Sequence, residues 1–388
     1  MQILTVRCKL AGSDEDRAAM AAIIAAFAAA CRFVARETPS SLVNETRLRE
    51  AAYRSVRERY GLSANLAQQA ISRVSANRKA AKASGGRVMG YRDGAVQYDE
   101  RTFCLYGEVA SLTLVGARRR VPLALSDYDR AQLARHAGQR RIRSAQLGMR
   151  RSRRRVTFFL NVQIEIACTG PIAPSDWIGG DMGRVDILHT SNGRHWQGNL
   201  RKAIRDRHHR VRRSLQAKAS KGTRSTRRRC RAILHRLSGR ERRFQAAENH
   251  AIAKRVVQDA IEMDAGLCLE DLSGIRARTN VPKRVRRDHL GWSFHQLRQF
   301  VAYKARIAGI PVAFARPHYT SQSCSRCGCL GSRRGKVFAC EACGHEADAD
   351  RNAADNLRLL GMSVTHPGGP CCPLPKGMVQ GSLESPRL

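Results

Sequence analysis

Two sets of residues in this 388-residue chain have the types and spacing to do chemistry. The first is a pair of C-x-x-C knuckles, Cys324-Ser-Arg-Cys327 and Cys340-Glu-Ala-Cys343, separated by 12 residues rich in Gly, Arg and Ser. This knuckle–hairpin–knuckle spacing brings four thiolates into a tetrahedron around one structural Zn²⁺. Cys329 and His345 flank the knuckles and read as spares, while Arg333, Arg334 and Lys336 surround Gly335 at the expected hairpin tip, within reach of a phosphate backbone or simply solvated. The second set is acidic. Asp181 stands in the apolar, glycine-rich stretch Trp177-Ile-Gly-Gly-Asp-Met-Gly, and Glu270 closes the apolar stretch Leu267-Cys-Leu-Glu. A third group, Asp348 and Asp350, opens the helical stretch that continues through Asn352 and Asn356. An acid inside an apolar strand needs something to neutralise it. Three acids from separated segments suggest one metal site, in which hard oxygen donors hold two Mg²⁺ about 3.5–4 Å apart. One ion activates water and the other stabilises the leaving oxygen of a phosphodiester. Taken singly, such acids are more often caps or turn residues, the reading given to Asp348 and Asp271.

The charge of the chain points to a polyanionic partner. Its 70 Lys+Arg against 32 Asp+Glu give a net charge of +38. The excess is localised: residues 1–50 carry 7 basic and 6 acidic residues, residues 201–250 carry 18 and 3. Few aromatics accompany the basic stretch, which suits the phosphates of a duplex better than base stacking along single strands. Arg205, Arg212, Arg213 and Arg228 are its candidate phosphate contacts. A hydrophobic share of 43% excludes a wholly disordered basic tail and is enough for two or three domains.

The positioning elements follow from periodicity. The start, Met1 to Cys8, reads as a strand, without the basic, apolar and small-residue segments of a signal peptide. Ser13-Asp-Glu-Asp16 opens an amphipathic helix of about six turns, and two further helices are predicted over Glu45 to Tyr60 and Ala64 to Ala83. In the last, Gln68, Arg73, Asn77, Arg78 and Lys79 are placed mostly outside. Between 90 and 166 the period becomes two, around 96–98, 102–106, 111–115 and 155–166, predicting a small β-barrel with the helices inserted. Gly170 to Asp176, with two prolines, reads as a linker. Beyond it, strands expected at 178–191, 266–271 and 311–316 alternate with helices near 200–219, 224–263, 293–308 and 352–359, an α/β domain. The longest apolar run, Ala18 to Cys31, has 14 residues, short of the roughly 20 that cross a bilayer, so no transmembrane helix is expected. The thiol usage suits a reducing compartment, and the cytoplasm is the expected location. The Pro-rich end shows no hydrophobic period and is expected to be disordered.

The motifs "GGDMG", "LEDLSGIR", "YTSQSCSRCG", "CEACG" and "DADRNAADN", in this order, resemble those of TnpB (insertion-sequence OrfB), the transposon-encoded family of RNA-guided nucleases ancestral to the type V CRISPR effectors. The resemblance covers residues 177–360 well. It implies an α/β multidomain fold: an RNase H-like RuvC nuclease domain (177–317 and 346–360) with an inserted zinc ribbon (318–345). A β-barrel wedge domain (1–12 and 86–169) with a helical recognition insert (13–85) precedes it, a linker (170–176) joins the two, and a disordered tail (361–388) follows. Asp181, Glu270 and Asp350 then carry the two Mg²⁺. Asp350 is preferred to Asp348 because the family's acid precedes the x-N-A-A helix start, here Arg351-Asn352-Ala353-Ala354. Arg351 and Asn352 are supporting candidates. Gly180 departs from the family, which usually has an apolar β-branched residue there, and a flexible strand would loosen metal geometry.

The implied partners are a guide RNA derived from the transposon end and a double-stranded DNA target, with no membrane and a monomer favoured. A heteroduplex is held by shape and backbone, while the protein reads a short flanking motif. Gln69, Arg73 and Asn77 are the candidates for that reading. The expected activity is RNA-guided, Mg²⁺-dependent DNA cleavage at one RuvC site. The alternatives are a compact type V CRISPR effector and an RNA-guided repressor that has lost cleavage, which should lack one of the three acids. A strand-joining transposase ranks lowest, because no Tyr or Ser nucleophile stands in a recognised motif.

Overall fold

A computed structural model describes residues 2–365 apart from 89, 136–139, 152–154, 184, 276–279, 281, 283–285, 287–292 and 317–318. It divides into two compact units, residues 1–167 and 168–388.

The first unit begins with β1 (Gln2–Leu10) and three helices, α1 (Asp14–Glu37), α2 (Glu45–Tyr60) and α3 (Ala64–Ala83). Ser13 and Asp16 form a reciprocal capping box at the start of α1. The apolar stripe Met20, Ile23, Ile24, Phe27, Cys31 and Val34 is fully buried, with Leu48, Val56, Leu66 and Ile71 of α2 and α3 also in the core. By length and composition α1 is apolar enough to cross a membrane, contrary to the expectation from its 14-residue run. Half of its apolar window is buried inside the unit, as in the core helix of a folded domain.

Arg78 corrects the outward placement of the polar α3 face. It is 6% exposed, and its guanidinium donates to the Ala35, Thr38 and Leu42 carbonyls and the Thr38 hydroxyl. A fork of donors thus satisfies the orphan carbonyls at the C-terminus of α1, where the dipole also favours a cation.

The strands of this unit are β1, β2 (Ala95–Asp99), β3 (Phe103–Tyr106), β4 (Val109–Thr113), β5 (Arg118–Ala124), β6 (Arg140–Arg151) and β7 (Val156–Ile166), with a short helix α4 (Asp127–Arg135) before β6. They pair in the order β2-β6-β7-β1-β5-β4-β3. The two halves join through two residue pairs, Lys9–Ala124 and Leu10–Leu123. Among the described residues no ladder closes β2 onto β3, so the expected barrel is a seven-stranded sheet with two ends. Strands β5 and β6 were not anticipated, because runs of arginine at their starts mask the period of two, and neither was the short helix α4.

The second unit starts at Cys168, so the expected linker belongs to it. Thr169, Ile172 and Ser175 donate backbone N–H groups to Ile307, Gly309 and Asp264. The expected strand 178–191 is two strands, β8 (Asp176–Asp181) and β9 (Asp186–Thr190), followed by β10 (His195–Gln197). Helix α5 (Asn199–Lys221) follows, and the single helix expected over 224–263 is broken into α6 (Arg224–Leu237) and α7 (Arg240–Glu262). The break falls at Gly239, whose φ of 73° lies in the left-handed region and cannot continue a helix. Then come β11 (Ala265–Glu270), α8 (Phe294–Ala308), β12 (Val312–Ala315), the short strands β13 (Ser332–Arg334), β14 (Val337–Ala339) and β15 (Glu346–Asp348), and α9 (Ala349–Thr365). Helix α9 runs past 361, where the tail was expected to start; residues 366–388 lie outside the described residues.

The main sheet of this unit has the order β10-β9-β8-β11-β12, antiparallel through β10, β9 and β8 and parallel from β8 to β12. One face packs Ile178, Leu188, Leu267 and Leu269 against Ile252 and Val256 of α7 and Leu297 and Val301 of α8. The other packs Trp177, Cys268 and Ala313 against Leu357 and Leu360 of α9. Alternation along the strands therefore places Asp181 and Glu270 on the face that α9 covers.

Helix α9 lies so close to β8 that a Cβ at Gly179 would stand 1.9 Å from the Ala354 carbonyl oxygen. Gly179→Ala is expected to destabilise the unit by about 3 kcal/mol, since backbone has to move. At Gly180 the obstacle is the flexible Cδ2 of Leu269 at 2.6 Å, and alanine there is expected to cost about 1 kcal/mol. Thermal melts of the two variants check the ranking, and equal losses would contradict it. Leu269 thus fills the space of the side chain that Gly180 lacks, and β8 is held on both sides by β9 and β11.

Candidate active site and metal centres

The pairing of Leu269 with Gly180 sets Asp181 and Glu270 one residue further on, at the carboxyl ends of neighbouring parallel strands. Open α/β sheets build sites at such ends. Asp350 joins them from the first turn of α9. Burial, together with the Glu270 and Asp350 carboxylates, raises the Asp181 pKa well above the usual carboxylate range, while Arg333 works in the opposite sense. Burial also raises Glu270, partly offset by a hydrogen bond from the Thr320 hydroxyl at 2.9 Å and by Arg333. Three hard-oxygen donors on separate elements, uncomfortable in each other's presence, fit a divalent cation.

Asp348 and Asp271 behave as the turn reading predicts. Asp348 accepts from the backbone N–H groups of Asp350 and Arg351 at the start of α9. Although burial opposes its charge, Asp271 is held below the usual range by hydrogen bonds from Ser273 and by the Arg298 guanidinium.

Thr320, Asn356 and His189 lie around the acids and were not named as candidates from sequence. Asn356 is fully buried and donates to the Thr320 and Ser323 carbonyls, so it holds the segment whose Thr320 hydroxyl reaches Glu270. One helical turn earlier, buried Asn352 accepts from the Ser325 N–H and donates to the Ser323 carbonyl. Asn352 thus fastens the ribbon to α9, and Arg351 pairs with Asp355 instead of an acid of the cluster. Asn352→Ala leaves the Ser325 N–H without its acceptor, Asn356→Ala leaves the Thr320 carbonyl without its donor, and each is expected to cost about 1–3 kcal/mol. Urea unfolding checks this, and a change within error would contradict it. Opposite Asp181 in the antiparallel ladder stands His189. Its Nδ1 is buried without a hydrogen-bond partner among the described residues, and burial lowers its pKa.

The four cysteines come together as their spacing predicts, with their sulfurs within 4.8 Å of one another. Cys324 and Cys343 lie 3.7 Å apart and Cys327 and Cys340 3.5 Å apart, all free thiols. The knuckles repeat one turn: the N–H groups of Gly328 and Gly344, both at positive φ, bond to the Cys324 and Cys340 carbonyls. Cys340 is lowered to about 7, chiefly by the Cys343 backbone N–H. The His345 N–H favours the Cys343 thiolate, but sharing of protons with Cys327, Cys324 and Cys340 raises it to about 12. Four sulfurs that cannot all ionise alone fit a zinc ion. The ribbon sheet has the order β13-β14-β15, so residues 346–348 belong to the ribbon and not to the sheet that bears the acids. At the hairpin, Arg333 and Lys336 turn inward: Arg333 bonds Asp350 Oδ1 at 2.9 Å, and Lys336 pairs with Asp186 and with Asp350 Oδ2.

The nucleic-acid candidates divide by position. Arg213 and Arg228 are exposed on α5 and α6, Arg212 pairs with Glu241, and Arg205 is half-buried. In the first unit, Gln69, Arg73 and Asn77 are half-buried; Arg73 donates to the Ala95 carbonyl at 2.7 Å, and Gln69 favours the charged form of Asp99. Reading base edges would require Arg73 to give up its contact. The same unit has a cleft of about 620 Å³ lined by Lys9, Arg17, Arg151, Arg155 and Phe158, a basic surface that the sequence did not single out.

Residues 294–357, from α8 into α9, match the family model Cas12f1-like, TNB domain. The CRISPR-associated endodeoxyribonuclease Cas12f1 of Sulfoacidibacillus thermotolerans is 40% identical over 120 residues, 30% of this chain and 27% of the relative. TnpB-like protein MJ0751 of Methanocaldococcus jannaschii is 33% identical over 127 residues, 32% and 46% of the two chains. The matches thus span less than half the length of these relatives. Among solved structures, a Cas12f1-sgRNA-target DNA complex aligns with a TM-score of 0.54 and 15% identity, over 88% of this chain and 80% of the other. The mini-RNA-guided endonuclease CRISPR-Cas_phi3 aligns with 0.54 and 10%, over 96% and 93%. Both likenesses are of fold. Over about a third of its length the chain is thus similar to TnpB-like and Cas12f1 proteins, and residues 294–357 match the Cas12f1-like TNB domain.

Proposed function

We propose that the chain is an RNA-guided DNA endonuclease that hydrolyses phosphodiester bonds with Mg²⁺ at one RuvC-like site. One observation carries the reading: Asp181, Glu270 and Asp350 come from three separated segments to one place, with a four-cysteine ribbon between the second and third. The mixed sheet, antiparallel on one side of β8 and parallel on the other, supports an RNase H-like assignment. The first unit, a sheet with three inserted helices, takes the part of the wedge and recognition region. When bound, divalent magnesium activates water and stabilises the leaving oxygen. The acids hold it, Thr320 orients Glu270, and Arg333 supplies positive charge beside Asp350.

The partners follow from charge and kinship. Exposed Arg213 and Arg228, with Arg205 and Arg212 beside them, line a basic helical track for a guide RNA and its DNA heteroduplex. A guide encoded at a transposon end, a monomeric complex and a cytoplasmic location complete the reading. The 40% identity to a Cas12f1 favours, as second reading, a compact type V CRISPR effector with the same chemistry. A cleavage-dead repressor is disfavoured by the presence of all three acids.

The test is to co-express the chain with its flanking locus, sequence the copurifying RNA, and challenge the complex with Mg²⁺ and plasmids bearing the matched target beside randomised flanks. Depletion of a flank-specific subset, absent for Asp181→Ala, is expected. Intact, enriched target would indicate a repressor, and absence of RNA would overturn the proposal.

A further inference from the structure

The ribbon hairpin places its own cations on the acid cluster. Lys336 follows Gly335 at the turn between β13 and β14, and its ammonium pairs with Asp186 and, at 3.5 Å, with Asp350 Oδ2. Arg333 takes the other oxygen of Asp350 at 2.9 Å. Both oxygens of the third acid are therefore engaged by the ribbon. The side chain of Lys336 is 51% exposed, whereas those of Asp186 and Asp350 are only 10% and 14% exposed, so the ammonium reaches from solvent onto nearly buried carboxylates. Its backbone is fixed: the Lys336 carbonyl accepts from Ala349 N–H at 2.7 Å, at the first residue of α9. Only the side chain has to swing for the ammonium to leave.

A second feature shows that the acids are not yet arranged as ligands. Among the described residues, the four cysteines are the only group of three or more ligand atoms within 4.8 Å of one another. The acids of the cluster feel one another's charge without converging to that spacing. An ammonium on a carboxylate oxygen and a divalent ion on the same oxygen are mutually exclusive by charge and by space. Arg333 also reaches Gly335 in its own turn and is anchored there, which leaves Lys336 as the exchangeable cation.

We propose that Lys336 is an internal counter-cation that competes with the divalent metal for Asp350, so that the ribbon keeps the site closed until the metal displaces it. This rests on the reading of Asp181, Glu270 and Asp350 as the metal site. Asp186 is the place where the displaced ammonium remains paired, which makes the exchange a short swing and not a loss of the ion pair.

The test is a Mn²⁺ titration of the full, zinc-loaded chain, with free Mn²⁺ read by electron paramagnetic resonance and no nucleic acid present. Lys336→Met and Lys336→Gln are expected to tighten Mn²⁺ binding at least about fivefold, whereas Lys336→Arg, which keeps the cation, stays near the wild type. In thermal melts the Met variant is expected to gain more from added Mn²⁺ than the wild type does. Unchanged or weaker Mn²⁺ affinity in both the Met and Gln variants would overturn the competition while leaving the metal site standing. A control carrying Asp181→Asn and Asp350→Asn separates the two readings: if it binds Mn²⁺ as tightly as the wild type, the metal-site reading fails and this proposal with it.

Discussion

Replacing Asp181, Glu270 or Asp350 with alanine is expected to lower DNA cleavage by on the order of 10²–10³-fold or more, with RNA-guided DNA binding retained. Each change removes a proposed ligand oxygen at the end of β8 or β11 or the start of α9, on elements other than α5 and α6, whose exposed arginines would carry phosphate contacts. The neutral variants should also reveal the site without any reaction. In the folded chain the Asp181 and Glu270 carboxyls are raised by burial and by neighbouring acids. A carboxyl raised in the folded state contributes stability that is fully present below its unfolded value, about 4, and lost as pH rises through its folded one. Without divalent metal, Asp181→Asn and Glu270→Gln should therefore raise the melting temperature at neutral pH, and the advantage should fade as pH falls through the raised folded values and be gone below about pH 4. Full cleavage by any alanine variant would remove that residue from the site. A melting temperature that falls at pH 7 in both neutral variants would contradict the electrostatic account.

The second large effect concerns the ribbon. Cys324→Ser or Cys340→Ser removes one of four ligands whose zinc binding is worth about 10–16 kcal/mol in isolated zinc-binding modules, an energy that goes into folding. Both sulfurs are nearly inaccessible, in a small cluster with Phe338 and Ala349. The expected result is a protein with little bound zinc and fast hydrogen exchange in β13 and β14, and with cleavage lost. In the proposed nuclease, cleavage would depend on the ribbon because Arg333 stands on it, and because Asn352 and Asn356 bind the segment leading into its first knuckle. Zinc content by mass spectrometry beside hydrogen exchange measures this. A soluble, zinc-free variant with full activity would show the ribbon to be dispensable.

How much of this was legible depended on how local the signal was. The cysteine knuckles and helices α1, α2 and α3 are specified by near neighbours, through C-x-x-C spacing, caps and a 3.6-residue period. Asp181 and Glu270 stand out in the sequence because a charge in an apolar strand is anomalous by itself, and the structure buries both. What failed involved partners distant in sequence. Arg78 looks like a solvated helix residue until the end of α1, some 40 residues earlier, supplies carbonyls for it. Strands β5 and β6 open with runs of arginine, Arg118-Arg-Arg and Arg140-Arg-Ile-Arg, which hide the alternation. The inward turn of Arg333 and Lys336 and the Asn356–Thr320–Glu270 chain exist only once the ribbon has packed on α9. Lengths were misjudged where a single glycine intervened, as at Gly239, which divides one apolar pattern into two helices.

The most direct measurement is to rewrite the target-pairing segment of the copurifying RNA and map the cut by sequencing DNA ends after incubation with Mg²⁺. The account predicts that the break moves to the newly matched DNA beside the same flanking motif, and that Asp181→Ala, Glu270→Ala and Asp350→Ala proteins bind the new target without cutting it. A break that stays at the old position, or that persists in all three variants, would contradict it.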